Sequence, residues 1–175
     1  LGRMVSEKGV DTLIQAFARV VRQVHVKPRL LLIGDGDRMA QLQQLARSLG
    51  LENNVYFAGR QNGQALIDWV GQGAIGVVPS AWNEPMGGVA VELMAAGRGL
   101  IVSEHGGLAE CVGDAGLLFP NGDSQALADC MLRVLAEPQL RHTLSHRALH
   151  RAELFTPDRF VDQYVELLRA TASPG

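Results

Sequence analysis

The sequence predicts an α/β fold in which helices cover both faces of a parallel β-sheet, a doubly wound arrangement of three layers. Short apolar runs alternate with longer segments whose apolar residues recur at helical spacing. The run Leu30-Leu31-Leu32-Ile33 is typical of a parallel strand that is buried on both faces. Because strands that alternate with helices require right-handed crossovers, we expect one parallel sheet.

The elements follow one another in a regular order along the chain. Strands are predicted at about 30–33, 55–57, 74–78, 100–102 and 116–119. Helices are predicted over about 10–25, 37–49, 63–71, 88–97 and 107–112. From Asp123 we expect helix to the end of the chain, with breaks near Pro138 and Pro157.

The composition suits one ordinary globular domain covering residues 1–175, with 47% hydrophobic and 19% charged residues. A net charge of −2 gives no electrostatic case for a nucleic-acid partner, which would need a basic face. Two cysteines are too few for a disulfide scaffold, and we expect a cytoplasmic protein. Since the chain opens at Leu1 without a methionine and with almost no first strand, we expect a piece of a longer protein with that strand truncated.

Glycine and charged residues follow the predicted strands, at the carboxyl edge where open α/β sheets bind ligands. The segments concerned are Gly2-Arg3, Gly34-Asp35-Gly36, Gly59-Arg60, Pro79 to Gly88, and His105-Gly106-Gly107. Turns contain glycine for conformational reasons alone, which is the alternative explanation. The charges that accompany the glycines favour a ligand site.

The segment from Ser80 to Glu92 carries the strongest indication of a site. Pro85 and the following glycines keep Glu84 outside a helix that begins near Gly88. The amino end of that helix suits a phosphate or a sugar hydroxyl. Glu92 lies about one turn further on, so two carboxylates could hold two parts of a polyhydroxylated ligand. The alternative is one capping and one surface carboxylate.

Two cations, Arg3 and Lys8, flank the first turn and could hold a diphosphate while neutralising its charge. The alternative is a solvated loop with a salt bridge to Glu7. His105 lies at a strand end, either in contact with the same ligand or as an ordinary loop residue.

Other conspicuous residues have structural interpretations. One helical stripe carries three histidines: His142, His146 and His150. Arginines beside them would repel a metal cation, so we predict no metal site and a solvated or partner-facing helix. Trp69 and Trp82 are predicted to pack rather than to stack on a base. Cys111 and Cys130 are predicted to be small core residues.

Taken together, these segments resemble the C-terminal, donor-binding domain of family 4 retaining glycosyltransferases (glycosyl transferases group 1) of GT-B architecture. The resemblance covers nearly the whole chain. It rests on the following segments: Gly2-Arg3 through Glu7-Lys8-Gly9, Leu32 to Gly36, Val55 to Gly59, Pro79-Ser80, Glu84-Pro85-Met86-Gly87 to Glu92, Ala95-Ala96-Gly97, and Gly106-Gly107 with Glu110. It implies a Rossmann-like fold that forms one half of a GT-B glycosyltransferase.

The resemblance also implies roles for single residues. Arg3 and Lys8 would bind the donor diphosphate, and Glu84 would contact the transferred sugar; these three are the predicted catalytic residues. Glu92 would hold the ribose and Arg60 would lie near the base. The other predicted substrate-binding residues are Gly2, Gly34, Gly87, Gly88, Val89 and His105.

The implied reaction moves a hexose-type sugar from a UDP-, GDP- or ADP-sugar to a glycan or lipid-linked acceptor, as in polysaccharide biosynthesis. It retains the anomeric configuration and uses no cofactor or metal. The missing N-terminal domain would carry the acceptor, pack on a helix at 157–170, and provide any contact with the inner face of the membrane. Alone, the chain would bind nucleotide weakly and transfer nothing.

The sequence leaves two alternatives to a glycosyltransferase. One is a non-catalytic nucleotide-binding or regulatory module. The other, a dinucleotide-dependent oxidoreductase, is disfavoured because no G-x-G-x-x-G motif opens the first helix.

Overall fold

The computed structural model describes residues 1–172, and all their side chains other than those of Phe160, Gln163, Ala170 and Ala172. The strands in this part are β1 (Leu30–Ile33), β2 (Val55–Gly59), β3 (Gly76–Val78), β4 (Leu100–Ser103) and β5 (Gly116–Phe119). The helices are α1 (Val10–Gln23), α2 (Met39–Ser48), α3 (Gly63–Gly71), α4 (Gly88–Ala95), α5 (Gly107–Val112), α6 (Ser124–Ala136), α7 (Pro138–Ala152) and α8 (Pro157–Ala172). The predicted alternation of strands and helices is confirmed.

The strands form two parallel sheets, one of β1 and β2 and the other in the order β3-β4-β5. Leu30 pairs with Val55 in the first sheet, and Leu100 pairs with both Gly76 and Gly116 in the second. The prediction of one continuous sheet is therefore wrong for the described residues. Residues 1–4 run beside the carboxyl end of β1 without forming a strand, so no strand joins β1 to β3.

Apolar cores lie on both faces of the strands. In β4, Leu100 and Val102 belong to one buried cluster while Ile101 between them belongs to another. Since neighbouring side chains on a strand point to opposite faces, helices must cover both sides of β4. The cluster of Ile101 includes residues of α1, α2 and α6, whereas the cluster of Leu100 and Val102 includes residues of α4, α5 and α7. This confirms the doubly wound, three-layer fold.

The helix boundaries follow local chemistry. Asp123 caps α6, since its carboxylate accepts hydrogen bonds from the amides of Gln125 and Ala126 at 2.8 and 2.9 Å. Pro138 and Pro157 stand at the first positions of α7 and α8, where a missing N–H leaves no helical bond unmade. Among residues 1–172, no helix is both long and apolar enough to cross a membrane.

Candidate functional site

An ion pair joins two residues that are far apart in the sequence, Lys8 and Glu84. The ammonium of Lys8 donates to Oε1 of Glu84, which also accepts a hydrogen bond of 2.8 Å from the hydroxyl of Ser80. The side chains of Lys8 and Glu84 are 28% and 14% exposed. The carboxylate is therefore fixed by two donors and still open to solvent on one side.

The loop between β3 and α4 is tied to the turn that carries Lys8. The backbone carbonyl of Glu7 accepts hydrogen bonds from the Ser80 hydroxyl at 3.1 Å and from the amides of Ala81 and Trp82 at 2.9 and 3.2 Å. On the other side of the loop, the amide of Gly107 donates to the carbonyl of Glu84 at 2.7 Å. The position of Glu84 is thus set by backbone contacts to two other segments.

A glycine allows the two segments to approach. Gly9 has a φ of 60°, and a Cβ there would lie 2.0 Å from the carbonyl oxygen of Pro79. Any side chain at this position would push the turn with Lys8 away from β3 and so separate Lys8 from Glu84.

The pKa of Glu84 is lowered from its ordinary value by competing effects. Burial is the largest effect and raises the pKa. The hydrogen bonds from Lys8 and Ser80, together with the positive charges of Lys8 and Arg3, lower it by more. At neutral pH Glu84 is therefore an ionised hydrogen-bond acceptor in a positively charged setting.

The amino end of α4 opens beside this carboxylate. Gly87, the residue before the helix, has no side chain to cap it and is buried against Leu108. A Cβ at Gly88 would meet no atom within 4 Å, so the space in front of the helix is open. The amide of Gly88 donates to the carbonyl of Met86 at 3.1 Å, and the next N–H groups of the first turn have no acceptor within the helix. These groups and the positive end of the helix dipole suit an anion or a hydroxyl.

Most of the predicted site residues line one cleft of about 240 Å³. They are Gly2, Arg3, Lys8, Glu84, Gly87, Gly88 and Val89. Carboxylate, cations and helix end converge there, which suits a ligand that carries both negative charge and hydroxyl groups.

Four predicted residues lie outside the lining of this cleft. Arg60 and His105 are exposed in the turns after β2 and β4. Glu92 is exposed on α4. A Cβ at Gly34 would lie 1.8 Å from the carbonyl oxygen of Gly2, so a close backbone contact explains this glycine.

Ser80 is the residue that the site prediction missed. It is 1% exposed, and the single hydrogen of its hydroxyl is shared between the Glu84 carboxylate at 2.8 Å and the Glu7 carbonyl at 3.1 Å. A hydroxyl residue two positions after a buried strand and four residues before a candidate carboxylate is a usable signal. The predicted alternative pairing of Lys8 with Glu7 is wrong, because Glu7 accepts instead from Ser6 at 3.1 Å.

The predictions for the cysteines and the tryptophans differ in their outcome. Cys111 is buried, and burial raises the pKa of both Cys111 and Cys130. Trp69 stacks on Tyr56 at 5.2 Å between ring centroids, whereas Trp82 is 58% exposed, so the packing prediction is wrong for Trp82.

The histidine stripe lies on the exposed face of α7. The described residues hold no group of three His, Cys, Asp or Glu that could bind a metal. The arginines nearby attach α7 to the neighbouring segment, since Arg151 donates to the carbonyl of Cys111 at 3.0 Å and Arg147 pairs with Asp114.

Comparison with known proteins identifies the family of the chain. The family model described as "Glycosyl transferases group 1" matches residues 1–151. N-acetyl-alpha-D-glucosaminyl L-malate synthase of Bacillus anthracis is 33% identical over 160 residues, covering 90% of the chain and 41% of that protein. The chain thus spans less than half the length of this curated relative.

Solved structures show the same fold. HepE of Anabaena in complex with UDP matches with a TM-score of 0.86 and 29% identity, over 97% of the chain and 47% of that protein. The C-terminal domain of LpcC, a glycosyl transferase group 1 family protein of Francisella tularensis, matches with a TM-score of 0.77 over 87% of the chain and 82% of that domain. At 24% identity, that second likeness concerns the fold alone. The chain belongs to the group 1 glycosyltransferase family, and its fold is that of one Rossmann-like half of a GT-B enzyme.

Proposed function

We propose that the chain is the donor-binding, C-terminal half of a retaining, metal-independent glycosyltransferase that moves a hexose-type sugar to a glycan or lipid-linked acceptor. The observation that carries this proposal is the Glu84 carboxylate, held by Lys8 and Ser80 beside the open amino end of α4. Residues from two distant parts of the chain meet there to form a charged, hydrogen-bonding cleft.

Arg3 and Lys8 are proposed to bind the donor diphosphate. Their charges already act on the carboxylates of Glu84 and Glu7. With the amino end of α4 they would provide three sources of positive charge around a departing diphosphate. This is the stabilisation that such a leaving group needs as its charge develops.

Two carboxylates are proposed to bind different parts of the donor. Glu84 is ionised and fixed, and would accept hydrogen bonds from the transferred sugar. Glu92, on the exposed side of α4, would accept from the ribose, and Arg60 would lie near the base. Backbone groups of Gly88 and Val89 would reach the sugar and phosphate, while Gly2, Gly34 and His105 would complete the contacts.

UDP is the first nucleotide to test. A HepE structure holds UDP and another holds UDP-glucose, and both match this chain at 29% identity. GDP and ADP are the competing nucleotides.

A second domain is proposed to complete the enzyme. One face of α8 exposes Val161, Tyr164, Leu167 and Leu168, each by about half or more. An apolar helix face of this kind requires a cover, and we propose that the N-terminal acceptor domain provides it. Alone, the chain should bind nucleotide weakly and transfer nothing. A cytoplasmic location, with membrane contact through that second domain, stays a prediction.

Calorimetric titration of the chain with uridine, UDP, GDP, ADP and NAD tests the donor site. Arg3→Ala should lower the affinity for UDP by roughly three- to tenfold and leave the affinity for uridine nearly unchanged, because it removes one charge-assisted contact to phosphate. Arg22→Ala is the matched control, since Arg22 is exposed near the opposite end of α1. If Arg3→Ala weakened the binding of uridine and of UDP equally, the proposed diphosphate role of Arg3 would be wrong. If the wild-type chain bound NAD most tightly, the proposal of a sugar-nucleotide donor would be wrong.

A second titration separates a transferase from a plain nucleotide-binding module. Glu84→Gln should keep or increase the affinity for UDP, because Lys8 loses its negative partner, and should abolish any gain in affinity that the sugar of UDP-glucose provides. Glu92→Gln should lower the affinity for UDP and the affinity for UDP-glucose by the same factor. If the wild-type chain binds UDP and UDP-glucose equally, and Glu84→Gln changes neither, the module without transfer is the better description.

A further inference from the structure

Three histidines follow one another along the outer side of α7. His142, His146 and His150 are spaced by four residues, and all three are exposed. Residues four apart on a helix are neighbours, with about 5–6 Å between their Cβ atoms. The buried residues of α7, Leu144 and Ala148, lie on the opposite side of the helix at about 100° per residue. The histidines therefore form a stripe that faces away from the core.

The arginines of α7 are held away from this histidine stripe. The sequence-based prediction of no metal site rests on the repulsion that these arginines would exert on a cation. In the structure, Arg141 donates to a carbonyl of α6 at 3.4 Å. Arg147 and Arg151 donate to the carbonyls of residues 114 and 111 at 3.2 and 3.0 Å, and Arg147 also pairs with the carboxylate of Asp114 at 3.4 Å.

The directions of these bonds follow from the helix geometry. The three arginines lie about 100° or more around the helix from His146, on the flanks of the buried side. Their acceptors belong to α6 and to residues 111–114, which are segments that pack on α7. Because each guanidinium is bound to a neighbouring segment, the reason for excluding a cation from the histidine stripe does not hold.

The carboxyl end of α7 favours a cation near the last histidine. His150 lies in the final turn of the helix, where the carbonyl groups carry the negative end of the dipole. Glu153, one helical turn beyond His150, is exposed and adds a negative charge. Positive charge is therefore better accommodated at this end of the stripe than the composition of α7 suggests.

We propose that His146 binds a divalent transition-metal ion together with either His150 or His142, with water in the remaining positions. Imidazole nitrogen suits Cu²⁺, Ni²⁺ and Zn²⁺, whereas Mg²⁺ takes oxygen ligands. The described residues supply no third His, Cys, Asp or Glu for the ion, so it should exchange freely with solvent. All residues of α7 are described and none lines the donor cleft, so this ion has no part in the proposed transfer.

Titration of the chain, prepared without an affinity tag, with NiCl₂, ZnCl₂ and MgCl₂ at pH 8 tests the site. The readouts are the heat of binding and the midpoint of thermal unfolding. Ni²⁺ and Zn²⁺ should bind and raise the midpoint, because an ion that binds only the folded helix stabilises it. Mg²⁺ should do neither.

Two variants distinguish a chelate from the mere number of histidines. His146→Gln leaves His142 and His150, which are about 12 Å apart along the helix axis and cannot share an ion. The double variant His142→Gln/His150→Gln leaves His146 alone. Both should lower the affinity for Ni²⁺ by about tenfold or more, and to the same extent, because each removes every pair of neighbouring histidines.

His25→Gln is the matched control, since His25 is exposed between α1 and β1 and lies outside the stripe. It should leave the affinity for Ni²⁺ unchanged. All the replaced side chains are exposed, so circular dichroism should show the same helix content in every variant. The proposal would be overturned by a larger loss in the double variant than in His146→Gln, or by an equal loss in His25→Gln. Failure of Ni²⁺ and Zn²⁺ to bind, or equal binding of Mg²⁺, would also overturn it.

Discussion

Replacing Lys8 by methionine removes the charge that holds Glu84 and keeps most of the side-chain volume. A charge-assisted hydrogen bond contributes about 1.5–3 kcal/mol when buried, whereas an exposed ion pair contributes about 0.2–1 kcal/mol. The side chains of Lys8 and Glu84 are 28% and 14% exposed, which places the pair between these limits. We expect a loss of about 1–2 kcal/mol in the free energy of unfolding near neutral pH.

The loss should depend on pH, because it acts through the ionised form of Glu84. The folded protein holds the pKa of Glu84 below its ordinary value of 4.5. This carboxylate therefore stabilises the fold above the ordinary value, and the contribution is lost as pH falls through the lowered pKa. In the variant, burial still raises the pKa while only Ser80 and Arg3 oppose it. The difference between wild type and variant should thus be largest near neutral pH and shrink as the carboxyl is protonated.

Urea unfolding followed by tryptophan fluorescence, from neutral pH downward, measures this difference. Lys27→Met is the matched control, since Lys27 is the only other lysine and is exposed between α1 and β1. It should cost less than about 0.5 kcal/mol at every pH. A penalty for Lys8→Met that is equal to that of the control, or that does not decrease in acid, would refute the reasoning from the ion pair.

Two further predictions concern the same site. Gly9→Ala should destabilise the chain more than Gly50→Ala. Both positions have positive φ, but only at Gly9 would a Cβ lie against a backbone oxygen, that of Pro79. Thermal unfolding measures the difference in stability between the two variants, and equal losses would contradict the close approach. Ser80→Ala should raise the pKa of Glu84 by removing a hydrogen bond to the ionised form, which an NMR titration of the Glu84 carboxyl can detect; an unchanged pKa would mean that Ser80 only fills space.

Much of the fold could be predicted because most strands and helices are recognisable from local sequence patterns. The run at β1, for example, and the helix α3 have the boundaries that the sequence predicts. Glu84 was recognisable for a similar reason, since Pro85 and the glycines after it show that it lies on a loop before a helix. Such features depend on neighbours in the chain, which a sequence displays directly.

What could not be predicted depends on residues that are distant in the sequence. The choice of Glu84 rather than Glu7 as the partner of Lys8 follows from the three hydrogen bonds to the Glu7 carbonyl, which orient that turn toward the loop after β3. The spacing of residues in the sequence does not predict that contact. The close approach at Gly34 could not be predicted for the same reason, because the atom that excludes a side chain there belongs to Gly2.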